Sequence, residues 1–204
     1  MKLYYGPGSC SLASHIVLEE SGIKFETVRV NLKDKQTSTG EDYNSVNPKG
    51  YVPCVKLATG ELLTENTALL AYLGEVNPDS GLMPTAGTME AFRVREWLGF
   101  ISSELHKAVG PLFRPNTPEA TVAAQRELLG RRLAYVEKSI GNKPYLTGGN
   151  FTVADAYLFV VLSWFGRLNI DFAPYPNLKA FHDRVKQRPA VVRAMTDEGL
   201  LKAA

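Results

Sequence analysis

Two kinds of hydrophobic spacing divide the chain into two parts. In the first 80 residues, short alternating apolar runs that predict strands are interleaved with runs of helical spacing. The predicted elements are strands at 2–5, 25–32, 52–57 and 61–64 and helices at 12–20 and 66–76. Between the second and third strands the chain is polar and irregular, with room for one helical turn. The order β-α-β-(α)-β-β-α predicts an α/β domain.

The rest of the chain has no strand pattern. Its apolar spacing predicts helices at 89–109, 118–140, 156–168, 177–188 and 189–198. Thr152 and Asp155 form a capping-box pattern before the third of these helices. We therefore expect the second part to be all-helical.

Proline and glycine are concentrated between residues 78 and 87, which predicts a boundary between domains 1–80 and 87–204. The first domain is net acidic and the second net basic, although the formal charge of the whole chain is only +2. Such a balanced charge argues against a nucleic-acid partner. Because the two domains carry opposite net charges, we expect a functional site at the junction between them.

Composition excludes several further classes of protein. The 204 residues are 45% hydrophobic and 22% charged, which is typical of a globular chain. The longest apolar stretch, 156–165, is about half the length that a membrane-crossing helix needs. Gly6 and Pro7 interrupt the start of the chain, where a signal peptide would have its apolar core. We therefore expect a cytoplasmic protein without a membrane partner.

The two cysteines, Cys10 and Cys54, are too few for a disulfide scaffold or a four-cysteine zinc site, and no metal is predicted. Cys10 lies between a predicted strand and a predicted helix. Free N–H groups and the helix dipole favour an anion there, so we expect a lowered pKa for this thiol. Ser9 and Ser11 flank it as candidate donors. A buried, inert Cys10 is the less favoured alternative.

The segment around Cys54 predicts a different role. Cys54 lies in an apolar strand, so we expect it to be structural. The proline before it, Pro53, suggests a cis Val52–Pro53 bond at the start of the strand. That bond would present the backbone of Val52 to a peptide-like ligand.

Two polar segments leave alternatives open. Asn66 suits a helix N-cap and Glu65 precedes it, which fits either simple capping or recognition of an α-amino acid head group. His106 follows Glu104 on a helix, but the spacing does not favour a pair between them. Neither His15 nor His182 has a sequence neighbourhood that suggests catalysis.

Taken together, these residues resemble a known family. The βαβ-ββα unit, Ser9-Cys10-Ser11, Val52-Pro53, Glu65-Asn66 and the capping box resemble the cytosolic glutathione S-transferases, and most of all the bacterial beta class. The residues most similar to that class are Tyr4, Cys10, Asn47-Pro48-Lys49-Gly50, Leu105-His106-Lys107 and Ala154-Asp155-Ala156-Tyr157-Leu158-Phe159. The resemblance covers nearly the whole chain. It implies a thioredoxin-like α/β N-terminal domain followed by an all-α C-terminal domain.

The resemblance also implies glutathione as cosubstrate, a homodimer and a set of site residues. Cys10 and His106 would be catalytic, with Cys10 close to the glutathione sulfur. The implied glutathione-binding residues are Ser9, Cys10, Ser11, Lys35, Val52, Pro53, Glu65, Asn66, Ser103, Glu104 and His106. Asn66 departs from the Ser or Gly more usual in the family.

The favoured hypothesis is a transferase that joins the glutathione thiolate to a small hydrophobic electrophile. Its second-substrate site would include Tyr5, Tyr51, Leu112 and Phe113. Disulfide exchange or dehalogenation through Cys10 is a further activity of the same site. The alternatives are a glutaredoxin-like oxidoreductase that uses Cys10 and His106, and a non-enzymatic ligand-binding protein. A cysteine hydrolase is disfavoured because the sequence shows no third orienting group.

Overall fold

The computed structural model describes residues 1–202 and contains a five-stranded mixed sheet in the first part of the chain. The strands are β1 (Lys2–Tyr5), β2 (Glu26–Asn31), β3 (Gln36–Thr37), β4 (Cys54–Lys56) and β5 (Leu62–Thr64). Their order is β3-β2-β1-β4-β5, in which β1 and β2 are parallel and the other pairs antiparallel. Residue 2 pairs with residue 26 on one side and with residue 56 on the other.

Three helices belong to the same part of the chain: α1 (Ser11–Ser21), α2 (Tyr43–Val46) and α3 (Asn66–Glu75). Helix α1 is buried along most of its length, and Gly22 ends it with a φ of 68°. The predicted α/β order is therefore confirmed. The two-residue strand β3 was not predicted, because an edge strand in a polar segment has no hydrophobic alternation to reveal it.

The second part is all-helical, as predicted. Its helices are α4 (Met89–Phe100), α5 (Lys107–Val109), α6 (Glu119–Ile140), α7 (Val153–Ser163), α8 (Phe165–Leu168), α9 (Pro176–Lys186) and α10 (Pro189–Asp197). Helix α7 begins earlier than predicted, at Val153, because Thr152 and Asp155 complete the capping box. It ends at Ser163, so the predicted 156–168 helix is two helices.

The predicted helix at 89–109 is interrupted. A π-helical segment, Ile101–His106, separates α4 from α5, and a short 3₁₀ turn, Gly110–Phe113, follows. Such π segments are rare, and they occur frequently at functional sites. The extra residue per turn shifts the face that the following side chains occupy, which helical periodicity alone does not predict.

The two parts pack closely against each other. Helix α1 contacts both α7 and α10 of the helical part. At the contact of α3 with α7, Gly74 has no space for a side chain, since a Cβ there would lie 2.9 Å from Met83 Cβ and from Val153 Cγ1. The backbone N–H of Val153 also donates to Leu82 O at 3.0 Å. This close junction fixes the first residues of α1 relative to α7.

Within residues 1–202, the helices are all too short or too polar to cross a bilayer.

Candidate functional site

Cys10 occupies the N-cap position of α1, directly after the loop that follows β1. The residue is partly exposed, and its Sγ donates to Val52 O at 3.3 Å. Burial raises the pKa of the Cys10 thiol to about 12, although backbone hydrogen bonds at the helix start act in the opposite direction. The expected lowering of this pKa is therefore wrong. Desolvation of the sulfur outweighs the helix N-terminus, and Cys10 is a thiol at neutral pH.

The Ser11 side chain supports the loop before Cys10. It is fully buried, and its Oγ accepts from Gly6 N at 3.1 Å and donates to Gly6 O at 3.3 Å. Ser9 Oγ lies 2.8 Å from Ser11 Oγ, and Gly8, just before Ser9, has a φ of 65°. The two serines thus close a tight turn that positions Cys10.

Val52 and Cys54 are placed as predicted. The Val52–Pro53 bond is cis, and the Val52 carbonyl oxygen faces Cys10. The preceding carbonyl, Tyr51 O, accepts from Tyr43 Oη at 2.7 Å. Cys54 is completely buried in β4, and burial raises the pKa of its thiol to about 11. Cys54 is thus a structural residue behind the site.

Asn66 is not the helix cap that its sequence suggests. Glu65 takes the N-cap position with a φ of 68°, and Asn66 is the first residue of α3. The Asn66 amide donates to Cys10 O at 3.1 Å, while its oxygen accepts from Ser14 Oγ at 3.3 Å. A positive φ is costly for glutamate, and such strain is found mostly at functional sites. Asn66 therefore joins α3 to the Cys10 loop.

Two lysines lie near the predicted ligand groups. Lys49, which was given no role from sequence, donates from Nζ to Glu65 Oε1 at 2.9 Å, and both side chains are more than half exposed. Lys35 also has a positive φ, and its Nζ donates to Gly50 O at 2.9 Å. Both cations lie at the surface, where solvent or a ligand can replace these partners.

His106, the last residue of the π segment, contacts α7. Its Nδ1 lies 2.7 Å from Tyr157 Oη, and its ring centroid is 5.0 Å from that of Trp164. Burial, with a smaller effect of Lys107, lowers the pKa of His106 to about 4. The imidazole is therefore neutral near pH 7.

The residues next to His106 have other partners. As the sequence indicated, Glu104 does not pair with His106; its Oε2 lies 2.7 Å from Arg132 Nε on α6. Ser103 Oγ donates to Gly99 O of the preceding turn at 3.0 Å. Among Ser103, Glu104 and His106, only His106 is therefore hydrogen-bonded to α7.

Sequence reasoning assigned no role to Tyr157. Burial and the nearby Cys10 raise the pKa of its phenol, against the polar side chains of Ser102 and Asn66, which lower it. The phenol oxygen therefore lies where the start of α3, the π segment and α7 meet. The sequence did contain one indication of this role: Tyr157 places a hydroxyl inside an apolar helical stretch, and a buried tyrosine needs a hydrogen-bond partner.

An aromatic surface lies beside this group. Phe113 is 40% exposed and packs edge-on against Trp164, with ring centroids 5.7 Å apart. Trp164, also not predicted, donates from Nε1 to Gly8 O at 2.9 Å. Leu112 is partly buried against the core, and Tyr51 is 72% exposed. The indole therefore connects an apolar surface to the loop before Cys10.

Tyr5 is placed differently from our expectation. It is buried at the end of β1, with its ring centroid 5.8 Å from that of His15. The residue has little surface to offer to a second substrate. The start of α1, with Val52 and Asn66 around it, thus defines the site more closely than Tyr5 does.

The two histidines without a predicted role have polar neighbours after all. His15 Nδ1 lies 3.1 Å from Glu198 Oε1, and His182 Nε2 lies 3.1 Å from Ser163 Oγ. Neither contact joins residues close in sequence, so the local pattern could not reveal them.

Comparison with known proteins agrees with this architecture. Two family models match, described as the N-terminal domain of glutathione S-transferase over residues 8–76 and its C-terminal domain over residues 100–189. Glutathione S-transferase GstA of Escherichia coli O157:H7 is 44% identical over 98% of this chain and 100% of its own length.

Solved structures of related proteins share the fold of this chain. A sphingomonad glutathione S-transferase complexed with glutathione superposes with a TM-score of 0.95 at 45% identity, over 98% of this chain and 100% of the other. A bacterial beta-class glutathione S-transferase of Sphingomonas chungbukensis gives a TM-score of 0.94 at 43% identity over the same shares. These relatives favour a transferase over the alternative oxidoreductase or non-enzymatic protein. With nearly full-length matches in both sequence and fold, the chain belongs to the glutathione S-transferase family and is most similar to its bacterial beta class.

Proposed function

We propose that this protein is an enzyme that joins the thiolate of glutathione to small hydrophobic electrophiles. The observation that supports it best is the arrangement around Cys10, where the Val52 carbonyl and the Asn66 amide converge on the start of α1. A relative with 45% identity over nearly the whole chain was solved with glutathione bound. Glutathione is thus the cosubstrate that this cleft fits.

The groups around Cys10 match the polar parts of a tripeptide. The Val52 backbone would pair with the cysteinyl unit, in exchange for the Cys10 thiol that now contacts its carbonyl. The exposed Glu65 carboxylate would bind the α-ammonium, and the N-terminus of α3 would bind the adjoining carboxylate. Lys35 would bind the glycine carboxylate. Each of these contacts replaces an exposed or weak one in the free protein.

The raised pKa of Cys10 supports glutathione as the source of the attacking sulfur. Because Cys10 stays protonated, it acts as a hydrogen-bond donor to the glutathione sulfur and not as the nucleophile. Donors of this kind and the α1 N-terminus favour the glutathione thiolate, at about 1.4 kcal/mol for each unit of lowered pKa. Conjugation therefore needs the glutathione thiol itself.

The electrophile would bind against the aromatic surface of Phe113 and Trp164, next to neutral His106. The neutral imidazole adds no charge to this surface, although the Arg167 guanidinium lies 5.4 Å from the centroid of the Phe113 ring. Tyr51 and Leu112 border the same region in our proposal. The C-terminal helices supply one wall, through Trp164 at the end of α7.

Replacing Cys10 by alanine separates conjugation from disulfide exchange. We expect Cys10→Ala to conjugate 1-chloro-2,4-dinitrobenzene within about tenfold of the wild-type rate, because the attacking sulfur belongs to glutathione. In disulfide exchange, the Cys10 thiol first loses its proton to solvent; its sulfur then attacks one sulfur of oxidised glutathione, breaks the S–S bond, forms the mixed disulfide and releases one glutathione thiolate. Mass spectrometry after incubation with oxidised glutathione should therefore show an adduct that Cys10→Ala lacks.

Cys54→Ala is the matched control, since it also removes one thiol but from the buried side of β4. It should keep both the conjugation rate and the adduct. Loss of conjugation far beyond tenfold in Cys10→Ala, with unchanged retention on immobilised glutathione, would show that Cys10 does more than donate a hydrogen bond and would overturn the mechanism. Unchanged adduct formation would overturn the exchange role. Analysis of the arene products distinguishes conjugation from dehalogenation.

We also propose the domain division 1–80 and 87–204, and a homodimer formed through α4. The exposed apolar residues Met89, Phe92 and Tyr135 support the dimer, with 64%, 55% and 55% of their surfaces exposed. The unpaired thiols of Cys10 and Cys54 support a cytoplasmic location, because reducing compartments preserve free cysteines. A role in detoxifying foreign electrophiles would follow from the proposed reaction.

A further inference from the structure

His15 lies between acidic residues from the two ends of the chain. It is located in the middle of α1 and is 1% exposed, with the aromatic rings of Tyr5 and Phe25 on either side. The end of α10 brings Asp197 and Glu198 against it. A histidine that is shielded from water in this way needs a hydrogen-bond partner for each ring nitrogen.

Only one of the two ring nitrogens has such a partner. Nδ1 lies 3.1 Å from Glu198 Oε1, and the Glu198 side chain is completely buried. Nε2 is buried without any hydrogen bond, because Asp197 Oδ2 is 3.9 Å away. This nitrogen is directed at the acidic group and is left unsatisfied, which a structural histidine rarely is.

A third candidate ligand lies close to His15 and Asp197. Glu19 follows His15 by one turn of α1, and ligand atoms of His15, Glu19 and Asp197 all lie within 4.8 Å of one another. Bonds of about 2.0–2.2 Å in a tetrahedral site hold ligand atoms about 3.4 Å apart. The exposed Asp197 side chain needs only a small movement to reach that spacing. The three side chains are therefore close enough together to bind one metal ion, and each carries a group that binds metals.

We propose that His15, Glu19 and Asp197 bind a divalent transition-metal ion, for which Zn²⁺ is the best fit, at the contact of α1 with α10. One imidazole and two carboxylates suit Zn²⁺ better than Mg²⁺ or Ca²⁺, which prefer oxygen ligands alone. The buried Glu198 would orient the imidazole through Nδ1–H, as carboxylates do behind metal-bound histidines. This site is separate from the Cys10 cleft, where we expect no metal.

Arg193 is the group that competes with the ion. Its Nε donates to Glu19 Oε2 at 2.6 Å. A carboxylate has two oxygens and about four acceptor positions, so one oxygen can keep the arginine while the other binds the ion. The three carboxylates of Glu19, Asp197 and Glu198 outnumber the two cations beside Glu19 (Lys24 and Arg193), which leaves an excess of negative charge. That charge favours a cation.

Bound metal would affect the position of α10 and the loop before Cys10. Glu198 Oε2 accepts from Gly8 N at 2.8 Å, so the residue that orients His15 also holds the loop two residues before Cys10. An ion between α1 and α10 would join the last helix of the chain to the α/β part. We therefore expect it to stabilise the junction without entering the glutathione cleft.

Equilibrium dialysis of the full-length, chelator-treated protein against Zn²⁺ tests the site. We expect one tight Zn²⁺ per chain in the wild type. Asp197→Asn should weaken it by about tenfold or more, since even an outer-shell change weakens binding about 10–100-fold. Because the Asp197 side chain is exposed, we expect this variant to fold like the wild type. Asp79→Asn, an exposed aspartate in the first part of the chain, is the matched control and should bind like the wild type.

The two cysteines are the alternative metal ligands, and Co²⁺ identifies them. Co²⁺ at the proposed site should show visible d–d absorption without a thiolate-to-metal charge-transfer band. Equal Zn²⁺ affinity of the wild type and Asp197→Asn would overturn the site. So would a charge-transfer band, which would place the ion on Cys10 or Cys54.

Discussion

At Cys10, two opposing effects act on one sulfur atom. The free N–H groups at a helix start favour an anion by about 0.3–1 kcal/mol at an exposed position. Burial of the sulfur penalises the thiolate more strongly and raises its pKa to about 12. The position of Cys10 at the start of a helix was predictable from sequence, but its pKa was not. Desolvation depends on what packs against the sulfur.

The pKa of His106 should affect folding as pH falls. Its folded value of about 4 lies below the ordinary 6.5, so between these values the unfolded chain binds a proton that the folded chain does not. Stability therefore falls from pH 6.5 towards pH 4, and His106 has no such effect above about pH 7. We expect the wild type to lose up to about 3 kcal/mol relative to His106→Asn over this range.

Urea unfolding of the two proteins at several pH values measures this difference, because all other titrating groups are shared. Imidazole resonances followed by NMR supply the second readout. Parallel stability profiles, or a His106 resonance that titrates near pH 6.5, would contradict the assignment of a neutral, buried imidazole.

At the scale of elements, periodicity predicts helices well until the backbone departs from 3.6 residues per turn. The stretch from Met89 to Val109 reads as one amphipathic helix, yet a π segment occupies Ile101–His106. The capping box shows the opposite case, because Asp155 accepts from Thr152 N at 2.8 Å as the local pattern indicates. Local signals thus predict helix starts better than they predict irregular turns.

The exposed apolar face of α4 is the element on which the proposed dimer depends. We expect Phe92→Glu to shift the protein towards monomer, because it places a charge in an apolar interface. Sedimentation velocity measures the change. The control is Val192→Glu, which adds the same charge at an exposed apolar position on α10. A wild-type monomer, or a Phe92→Glu variant that dimerises as tightly as the wild type, would contradict the proposed interface.

At the scale of the whole molecule, one arginine joins the two ends of the chain. Arg188, just before α10, donates from Nε and Nη2 to the two carboxylate oxygens of Glu20 at 2.6 and 3.0 Å. Its guanidinium also lies 4.2 Å from the ring centroid of Phe151. Glu20 is only 14% exposed, so this pair is shielded from water more than the surface pairs are.

We expect Arg188→Ala to lower the free energy of unfolding by about 1–3 kcal/mol, because it leaves the Glu20 carboxylate without its partner. Arg131→Ala, which removes an exposed pair with Glu127, should change it by only about 0.5 kcal/mol. Equilibrium unfolding in urea measures both. Equal effects of the two substitutions would show that the junction gains nothing from the Arg188 pair.

The sequence by itself determined the order of the main elements and the segments that bear polar or reactive groups. Hydrophobic spacing and turn residues are local, so they predicted α1 after β1, the cis Val52–Pro53 bond and the capping box before α7. Only the tertiary structure decided which of these groups are in contact and how far each one is shielded from water. Tyr157 reaches His106 and Trp164 reaches Gly8 across 51 and 156 residues of chain. Contact and desolvation arise from packing between distant segments, and this is why the pKa of Cys10 and the acidic surroundings of His15 could not be predicted from local sequence.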